Sequence, residues 1–160
     1  MNRDNGFTLI ELVVVIGVVA ILASLVLMFS YGIKIKKDVD SSIDSLAAVI
    51  RNAQQKSITQ EEMTRWGIYL EANTVTKKYF YSLIKTSKTN IIARYQIPIA
   101  LEFDVSLLDS LGSGLYEKEI TFTQVDGLPG SSDIAIKIRI ANDPSSAKTI
   151  TISSNGTVSY

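Results

Sequence analysis

Residues 6–33 read GFTLIELVVVIGVVAILASLVLMFSYGI, and the only charged side chain among them is that of Glu11. From Leu12 to Ile33 the run is uncharged and mostly apolar. About 20 such residues are enough for a helix to cross the hydrocarbon core of a bilayer. An ionised carboxylate in such a segment costs on the order of 2.5–3.5 kcal/mol on insertion scales, and less near the interface. We therefore expect Glu11 to have a partner, which indicates that the segment serves assembly as well as anchoring.

After Ile33 the apolar residues thin to one stripe, with steps mostly of three or four residues, the period of an amphipathic helix. The stripe consists of Ile35, Val39, Ile43, Leu46, Ala47, Ile50 and Ala53. We predict one continuous helix from about Phe7 to Ile58, apolar all round in its first half and on one side in its second. At 1.5 Å per residue this helix would be roughly 75–80 Å long.

Beyond the helix the sequence changes to the period of β-strands. Alternating or β-branched runs predict strands at residues 65–71, 78–84, 119–125, 133–140, 149–153 and 157–160. Turn residues cluster at 112–114, 126–130 and 142–146, and Asn155-Gly156 predicts a tight hairpin turn. Residues 86–111 fit either short strands or a variable loop. The predicted fold class is α+β, a long N-terminal α-helical spine packed on a small antiparallel β-sheet domain.

The composition limits the chemistry that the protein can perform. The chain has 160 residues, and its 16 basic and 16 acidic side chains give a formal net charge of zero. This balance gives no global bias toward nucleic acid or anionic membranes. The sequence contains no cysteine and no histidine, so the usual zinc ligands and the usual nucleophile–base pairs are missing. No spacing indicates a serine–lysine or carboxylate site, and we predict that the protein is not an enzyme and uses no metal or cofactor.

The stretch Gly6-Phe7-Thr8-Leu9-Ile10-Glu11-Leu12-Val13 closely resembles the processing and methylation motif of type IV prepilins and type II secretion pseudopilins. The resemblance implies that Gly6 is the last leader residue, cut on its carboxyl side by a prepilin peptidase. It implies that Phe7 becomes the mature N-terminus, with a methylated amine, and that Glu11 pairs with the Phe7 ammonium of a neighbouring subunit. Because Glu11 lies four residues after Phe7, a pair within one chain is an alternative.

The same resemblance implies a pilin-like organisation of the whole chain. Residues 1–6 would be the leader peptide, 7–33 the transmembrane and filament-core half of the helix, 34–58 its amphipathic half, and 59–160 the β-rich globular domain. The implied partners are other pilin or pseudopilin subunits, the prepilin peptidase, an inner-membrane assembly platform and membrane lipid. The helix end at 45–55 and the strand at Trp66 resemble minor pseudopilins of the H type and related minor pilins, and a major pilin stays open.

Two other kinds of membrane segment compete with this interpretation. A secretory signal peptide has an apolar core of about 7–15 residues that ends at a small-x-small cleavage site. The present run is longer, and Ala20-Ile21-Leu22-Ala23-Ser24 matches such a site poorly. A plain single-span anchor explains the length of the run, but it explains neither Glu11 nor Gly6-Phe7.

The charges that flank the run conflict over its orientation. Arg3 and the N-terminal amine indicate a cytoplasmic leader, whereas Lys34, Lys36 and Lys37 would favour the cytoplasm for the other end under the positive-inside rule. The resemblance implies a single-pass cytoplasmic (inner) membrane protein before assembly, with its C-terminal domain outside, and then an extracytoplasmic filament. We adopt that orientation, because large domains translocate largely regardless of flanking charge.

The sequence contains two weaker candidates for a binding site, and neither is expected to bind a ligand. A basic stretch interleaved with aromatic residues would suit single-stranded DNA, although a solvated strand face with core aromatics explains it better. Its members are Lys77, Lys78, Lys85, Lys88 and Arg94 with Tyr79, Phe80, Tyr81 and Tyr95. The loop residues Asp126, Asp133 and Asp143 could bind calcium, but their spacing fits no compact calcium loop, and turn-forming roles explain them better.

The sequence therefore predicts a structural subunit, a minor or major pilin or pseudopilin, of a type IV pilus-like or type II secretion filament. It would be processed by the prepilin peptidase and assembled through its N-terminal helix. The alternative is a single-span, membrane-tethered extracytoplasmic binding domain that does not polymerise. Pilus, secretion pseudopilus and competence fibre all stay open.

Overall fold

The computed structural model describes residues 8–130, 132–141 and 143–160, with the side chains of residues 27–32 and 144 outside the description. The chain divides into two compact units, Met1–Lys37 and Asp38–Tyr160, and each is described by itself. Helix α1 begins at Leu9 in the first unit and ends at Ile58 in the second. The end agrees with the prediction, and the predicted start at Phe7 lies outside the described residues, as does the predicted leader.

The helical part of the first unit is apolar on every side. Leu9–Val26 has a mean hydropathy of 2.9, none of it is buried, and by length and composition it could cross a membrane. A helix that is apolar all round is covered in a stable protein by a large core, by lipid or by other helices. The described side chains of the first unit form no such core, so lipid or other helices would have to cover this apolar surface.

The helical part of the second unit is amphipathic, as predicted. All stripe residues within this unit are at most 3% exposed: Val39, Ile43, Leu46, Ala47, Ile50 and Ala53. Asp40, Asp44 and Arg51 are exposed on the rest of the helix surface. The stripe therefore forms the helical side of the hydrophobic core of this unit.

The rest of the second unit forms two antiparallel sheets. The first has the strand order β3-β2-β1-β6-β5 and the second the order β4-β7-β8-β9. The strands are β1 Trp66–Asn73, β2 Lys78–Lys85, β3 Ser87–Gln96, β4 Leu101–Phe103, β5 Asp109–Gly112, β6 Leu115–Thr121, β7 Ile134–Ile140, β8 Asp143–Ile152 and β9 Val158–Ser159. The predicted α+β class with an antiparallel β-sheet domain is confirmed, and the strands of that domain form two sheets.

Both sheets present aliphatic side chains to the core at alternate positions. Ile68 of β1 pairs with Leu83 of β2 on one side and with Ile120 of β6 on the other, and all three are buried. In the second sheet, Ile136 pairs with Ile150, and both are buried. The isoleucine face predicted for residues 133–140 is thus confirmed at its centre.

Several predicted boundaries need correction. The strand predicted at 119–125 lies at Leu115–Thr121, because Thr123 closes a turn by donating its N–H to the Leu128 carbonyl at 2.9 Å, with Val125 at φ +73° inside it. The turn predicted at 142–146 lies partly in β8, which begins at Asp143. The hairpin predicted at Asn155-Gly156 is confirmed, although Gly156 alone of the two has a positive φ.

Residues 86–111, left open by the sequence, contain three strands. The edge strand β3 pairs with β2, and β4 pairs with β7 through Leu101 to Phe103, both of them buried. The Asp104 carboxylate then accepts the Ser106 N–H at 3.2 Å and starts a short 3-10 helix, Val105–Leu107. Strand β5 follows as the other edge of the first sheet.

Two polar side chains of α1 join the helix to the strands and loops. The fully buried Ser57 hydroxyl accepts the Trp66 N–H at 2.8 Å, which fixes the start of β1. The Gln54 amide donates to the Gly127 carbonyl at 3.3 Å and to the Gly156 carbonyl at 2.8 Å. Gln54 thereby ties the loop after β6 and the β8–β9 hairpin to the same turn of the helix.

Replacing Gln54 by Leu should lower the free energy of unfolding by about 1–3 kcal/mol, because two carbonyls in a largely buried site lose their donor. Thermal unfolding of the full chain in detergent, followed by the emission of the single Trp66, measures this change. Gln55→Leu is the matched control, since Gln55 is the exposed neighbour on the same helix. Equal effects of the two substitutions would contradict the role given to Gln54.

The outer side of the first sheet carries a polar cluster around Glu117. The Lys88 ammonium and the Tyr69 hydroxyl both donate to its carboxylate, the latter at 2.5 Å. The hydrogen bond from Lys88, and to a smaller extent the one from Tyr69, holds the pKa of Glu117 below its ordinary 4.5. Burial and the Glu117 carboxylate raise the pKa of Tyr69. Glu117 is therefore ionised at neutral pH, where it accepts hydrogen bonds from Lys88 and Tyr69.

The Glu117 cluster should make the domain sensitive to acid. A carboxyl with a depressed folded pKa contributes stability above its unfolded pKa, and that contribution is lost as the pH falls through the folded value. Below about pH 4.5, Glu117→Gln should therefore show a shallower fall of melting temperature with pH than the unchanged protein. Asp126→Asn, at an exposed loop position, should keep the original slope, and a slope unaltered by Glu117→Gln would refute the assignment.

Candidate functional site

Glu11 lies in the first turn of α1, where it forms a reciprocal cap with Thr8. The Glu11 N–H donates to the Thr8 hydroxyl oxygen at 3.3 Å. The Glu11 Oε2 in turn accepts the Thr8 N–H at 3.3 Å and the Thr8 hydroxyl at 3.2 Å. This arrangement is a capping box, which satisfies backbone donors that have no partner inside the helix.

The cap occupies only one oxygen of the Glu11 carboxylate. Within the described residues, the Glu11 side chain accepts hydrogen bonds only at Oε2, and Oε1 accepts none. The side chain is exposed, and the positive end of the helix dipole favours its negative charge. Glu11 is therefore held in place by Thr8 through Oε2, and within the described residues Oε1 accepts no hydrogen bond.

The capping role of Thr8 was missed in the sequence, although its signal is present there. A threonine followed three residues later by a glutamate, ahead of an apolar run, is the pattern of a capping box. Gly6 and Phe7, the two residues predicted for processing and methylation, lie outside the described residues. Their roles and the pairing of Glu11 with a Phe7 amine stay predictions.

Thr8→Val should loosen the first turn of α1, because a lost N-cap costs about 1 kcal/mol. Hydrogen exchange at the amides of Glu11 and Leu12, which donate to the Thr8 hydroxyl and carbonyl, should become about fivefold faster on the full chain in micelles. Thr8→Ser keeps the hydroxyl and should exchange like the unchanged protein. Equal exchange in all three proteins would show that the cap does not form in solution.

The residues considered for DNA binding do not form one exposed surface. Tyr79 and Tyr81 are buried. Three of the cations pair with carboxylates, as Lys85–Glu62, Lys88–Glu117 and Arg94–Glu71. The Arg94 guanidinium also lies 4.1 Å from the centre of the Phe80 ring. This geometry fits a solvated strand face with core aromatics.

The aspartates considered for calcium act in turns. Asp133 accepts the Ser154 N–H at 2.7 Å, and Asp143 accepts the Ser145 N–H at 3.1 Å. Asp126 is exposed in the loop after β6. Over the described ranges, no three acidic side chains lie close enough together to hold a metal ion.

Comparison with known proteins agrees with the motif at the start of the chain. Residues 1–27 match the family described as "Prokaryotic N-terminal methylation motif". No curated protein matches the chain. Two crystal structures of the type IV minor pilin FimU of Pseudomonas aeruginosa (strain PAO1) are similar to it. One has 14% identity, covers 77% of this chain and 87% of FimU, and gives a TM-score of 0.49. The other has 15% identity, coverages of 75% and 90%, and a TM-score of 0.46.

The matched residues include every position from which the resemblance was drawn, Gly6 to Val13, and they extend through the apolar run to residue 27. The structure adds that this run is helical from Leu9 and exposes apolar side chains all round. The resemblance of Gly6 to Val13 to a methylation motif is therefore confirmed, and the chain carries the prokaryotic N-terminal methylation motif.

Proposed function

We propose that the protein is a structural subunit, a minor or major pilin or pseudopilin, of a type IV pilus-like or type II secretion filament. The observation that carries the proposal is the start of α1. There the Oε2 atom of Glu11 is held by Thr8, directly ahead of an exposed apolar helix. The motif match over residues 1–27 supports the same assignment. In this proposal the protein catalyses no reaction.

In this proposal, a prepilin peptidase cuts the chain after Gly6, so that residues 1–6 are lost as a leader. The new amine of Phe7 is methylated and keeps its positive charge. The Glu11 carboxylate then accepts a hydrogen bond from the Phe7 ammonium of a neighbouring subunit. Opposite charges attract strongly in an environment of low dielectric constant, and each offsets the other's desolvation cost.

The apolar residues 7–33 hold the subunit in the cytoplasmic membrane before assembly, with residues 59–160 outside. Lipid tails cover the helix as well as other apolar helices do, so burial alone gives no force that draws subunits out of the membrane. An assembly platform and a separate motor would supply that work. In the filament, the helices of neighbouring subunits cover one another, and residues 34–58 link the filament core to the globular domain.

The first test is the mass of the N-terminal peptide after co-expression with a prepilin peptidase. The proposal expects a chain that starts at Phe7 and carries one added methyl group. Gly6→Leu, which places a bulky side chain at the cleavage site, should keep the leader under the same conditions. An intact Met1 in the unchanged protein, with an active peptidase shown on a known substrate, would contradict the proposal and favour the membrane-tethered binding domain.

A further inference from the structure

Three lysines follow directly on the uncharged run of the first unit. Lys34, Lys36 and Lys37 are all exposed. Among the ion pairs of the described side chains, none involves any of them. Asp38 and Asp40 follow within one helical turn, and Asp40 pairs with Lys148. The three cations therefore outnumber the neighbouring acidic side chains and attract negative charge from outside the helix.

The length of the uncharged run sets the depth of these lysines in a bilayer. The 22 residues from Leu12 to Ile33 span about 33 Å as a helix, against about 30 Å for the hydrocarbon core. A tilt of about 20° reduces the projected length to roughly 31 Å. When Glu11 lies at one interface, Lys34 therefore reaches the headgroup layer at the other.

The lysines also differ in their position around the helix axis. Successive residues are rotated by about 100°, so Lys34 and Lys37 lie about 60° apart and Lys36 lies about 100° from Lys37. The three ammonium groups therefore spread over an arc of about 160° on the helix surface. A layer of lipid headgroups surrounds the helix, and flexible lysine stems can reach phosphates in every direction.

We propose that Lys34, Lys36 and Lys37 form a collar that binds the phosphate groups of anionic phospholipids at the C-terminal end of the membrane span. This inference rests on the membrane insertion proposed above, but it is independent of cleavage and of filament assembly. The collar holds the helix at one depth and adds an electrostatic restraint that extraction into a filament must break. Its strength falls as salt screens the charges.

The test uses the full chain in vesicles of phosphatidylcholine with a minority of phosphatidylglycerol, and spin-labelled forms of either lipid as probes. The fraction of motionally restricted probe gives the relative association of the two lipids with the protein. We expect phosphatidylglycerol to associate about threefold or more better, since each lysine near an anionic surface adds to the attraction. Lys34→Gln with Lys36→Gln and Lys37→Gln should remove the preference, and high salt should weaken it in the unchanged protein.

The matched control replaces three exposed cations of the second unit, Arg65→Gln with Lys77→Gln and Lys78→Gln, which changes the net charge equally. The control should keep the preference for phosphatidylglycerol. The collar alone would be overturned if the unchanged protein inserted into the vesicles without preferring phosphatidylglycerol. It would also be overturned if the control variant lost that preference as fully as the collar variant. A protein that fails to insert into either kind of vesicle would overturn the membrane insertion as well.

Discussion

Glu11→Gln should reduce incorporation into filaments at least about tenfold, because a hydrogen bond to a charged group contributes about 1.5–3 kcal/mol. Glutamine is also accepted at this position of a capping box. The substitution therefore keeps the bond to Thr8 and removes the charge that would attract a neighbour's ammonium. The measurement is the fraction of subunit recovered in sheared filaments, in cells that also make the unchanged protein as a competitor.

Thr8→Val is the complementary variant, since it weakens the cap and leaves the Glu11 charge in place. We expect it to enter filaments far better than Glu11→Gln does. Both variants should still lose the leader, which shows that they reached the membrane. Incorporation of Glu11→Gln at the level of the unchanged protein would show that the charge has no part in assembly, whereas equal defects in the two variants would assign the effect to the cap.

Gly67→Ala should destabilise the second unit by about 3 kcal/mol or more, the upper range for overpacking a core. A Cβ at Gly67 would lie 2.3 Å from the Ile120 carbonyl oxygen and 2.8 Å from the Thr121 Cα. Both are backbone atoms of β6, so no rotation of a side chain relieves the clash. The central strand β1 would have to separate from β6, with loss of the hydrogen bonds between them.

The change is measured by thermal unfolding, with Trp66 as the probe beside the substitution. Ser82→Ala on β2 is the control, because Ser82 is fully buried and its hydroxyl has no hydrogen-bond partner in the described parts of the chain. Removing an unpaired buried hydroxyl should leave stability unchanged or raise it. A melting temperature of Gly67→Ala equal to that of the unchanged protein would contradict the close approach of the two strands.

Elements with a long and regular pattern could be predicted from the sequence. The buried stripe from Val39 to Ala53 repeats mostly every three or four residues, and β7 has isoleucine at every second position. The division of the strands into two sheets and the strands β3 to β5 could not be predicted in the same way. Strands of three or four residues are too short to show a period, and the edge strand β3 is exposed over most of its length, so its composition resembles that of a loop.

The candidate site was predicted in part. Glu11 stood out because a carboxylate is costly in an apolar segment, and this argument needs no structure. The role of Thr8 follows from hydrogen bonds that only the folded helix shows, although the spacing of the two residues hinted at it. The orientation of the Glu11 carboxylate is a property of the side-chain rotamer, which no sequence pattern specifies.

The hydrogen bonds that Gln54 and Ser57 form with the strands and loops have a mechanical consequence. A pull along α1 reaches the first sheet through Ser57 at the start of β1, and it reaches the hairpin that closes the second sheet through Gln54. The two attachments lie within one turn of the helix, so they are loaded together rather than one after the other. Tension on this part of the helix is thus shared between the two sheets.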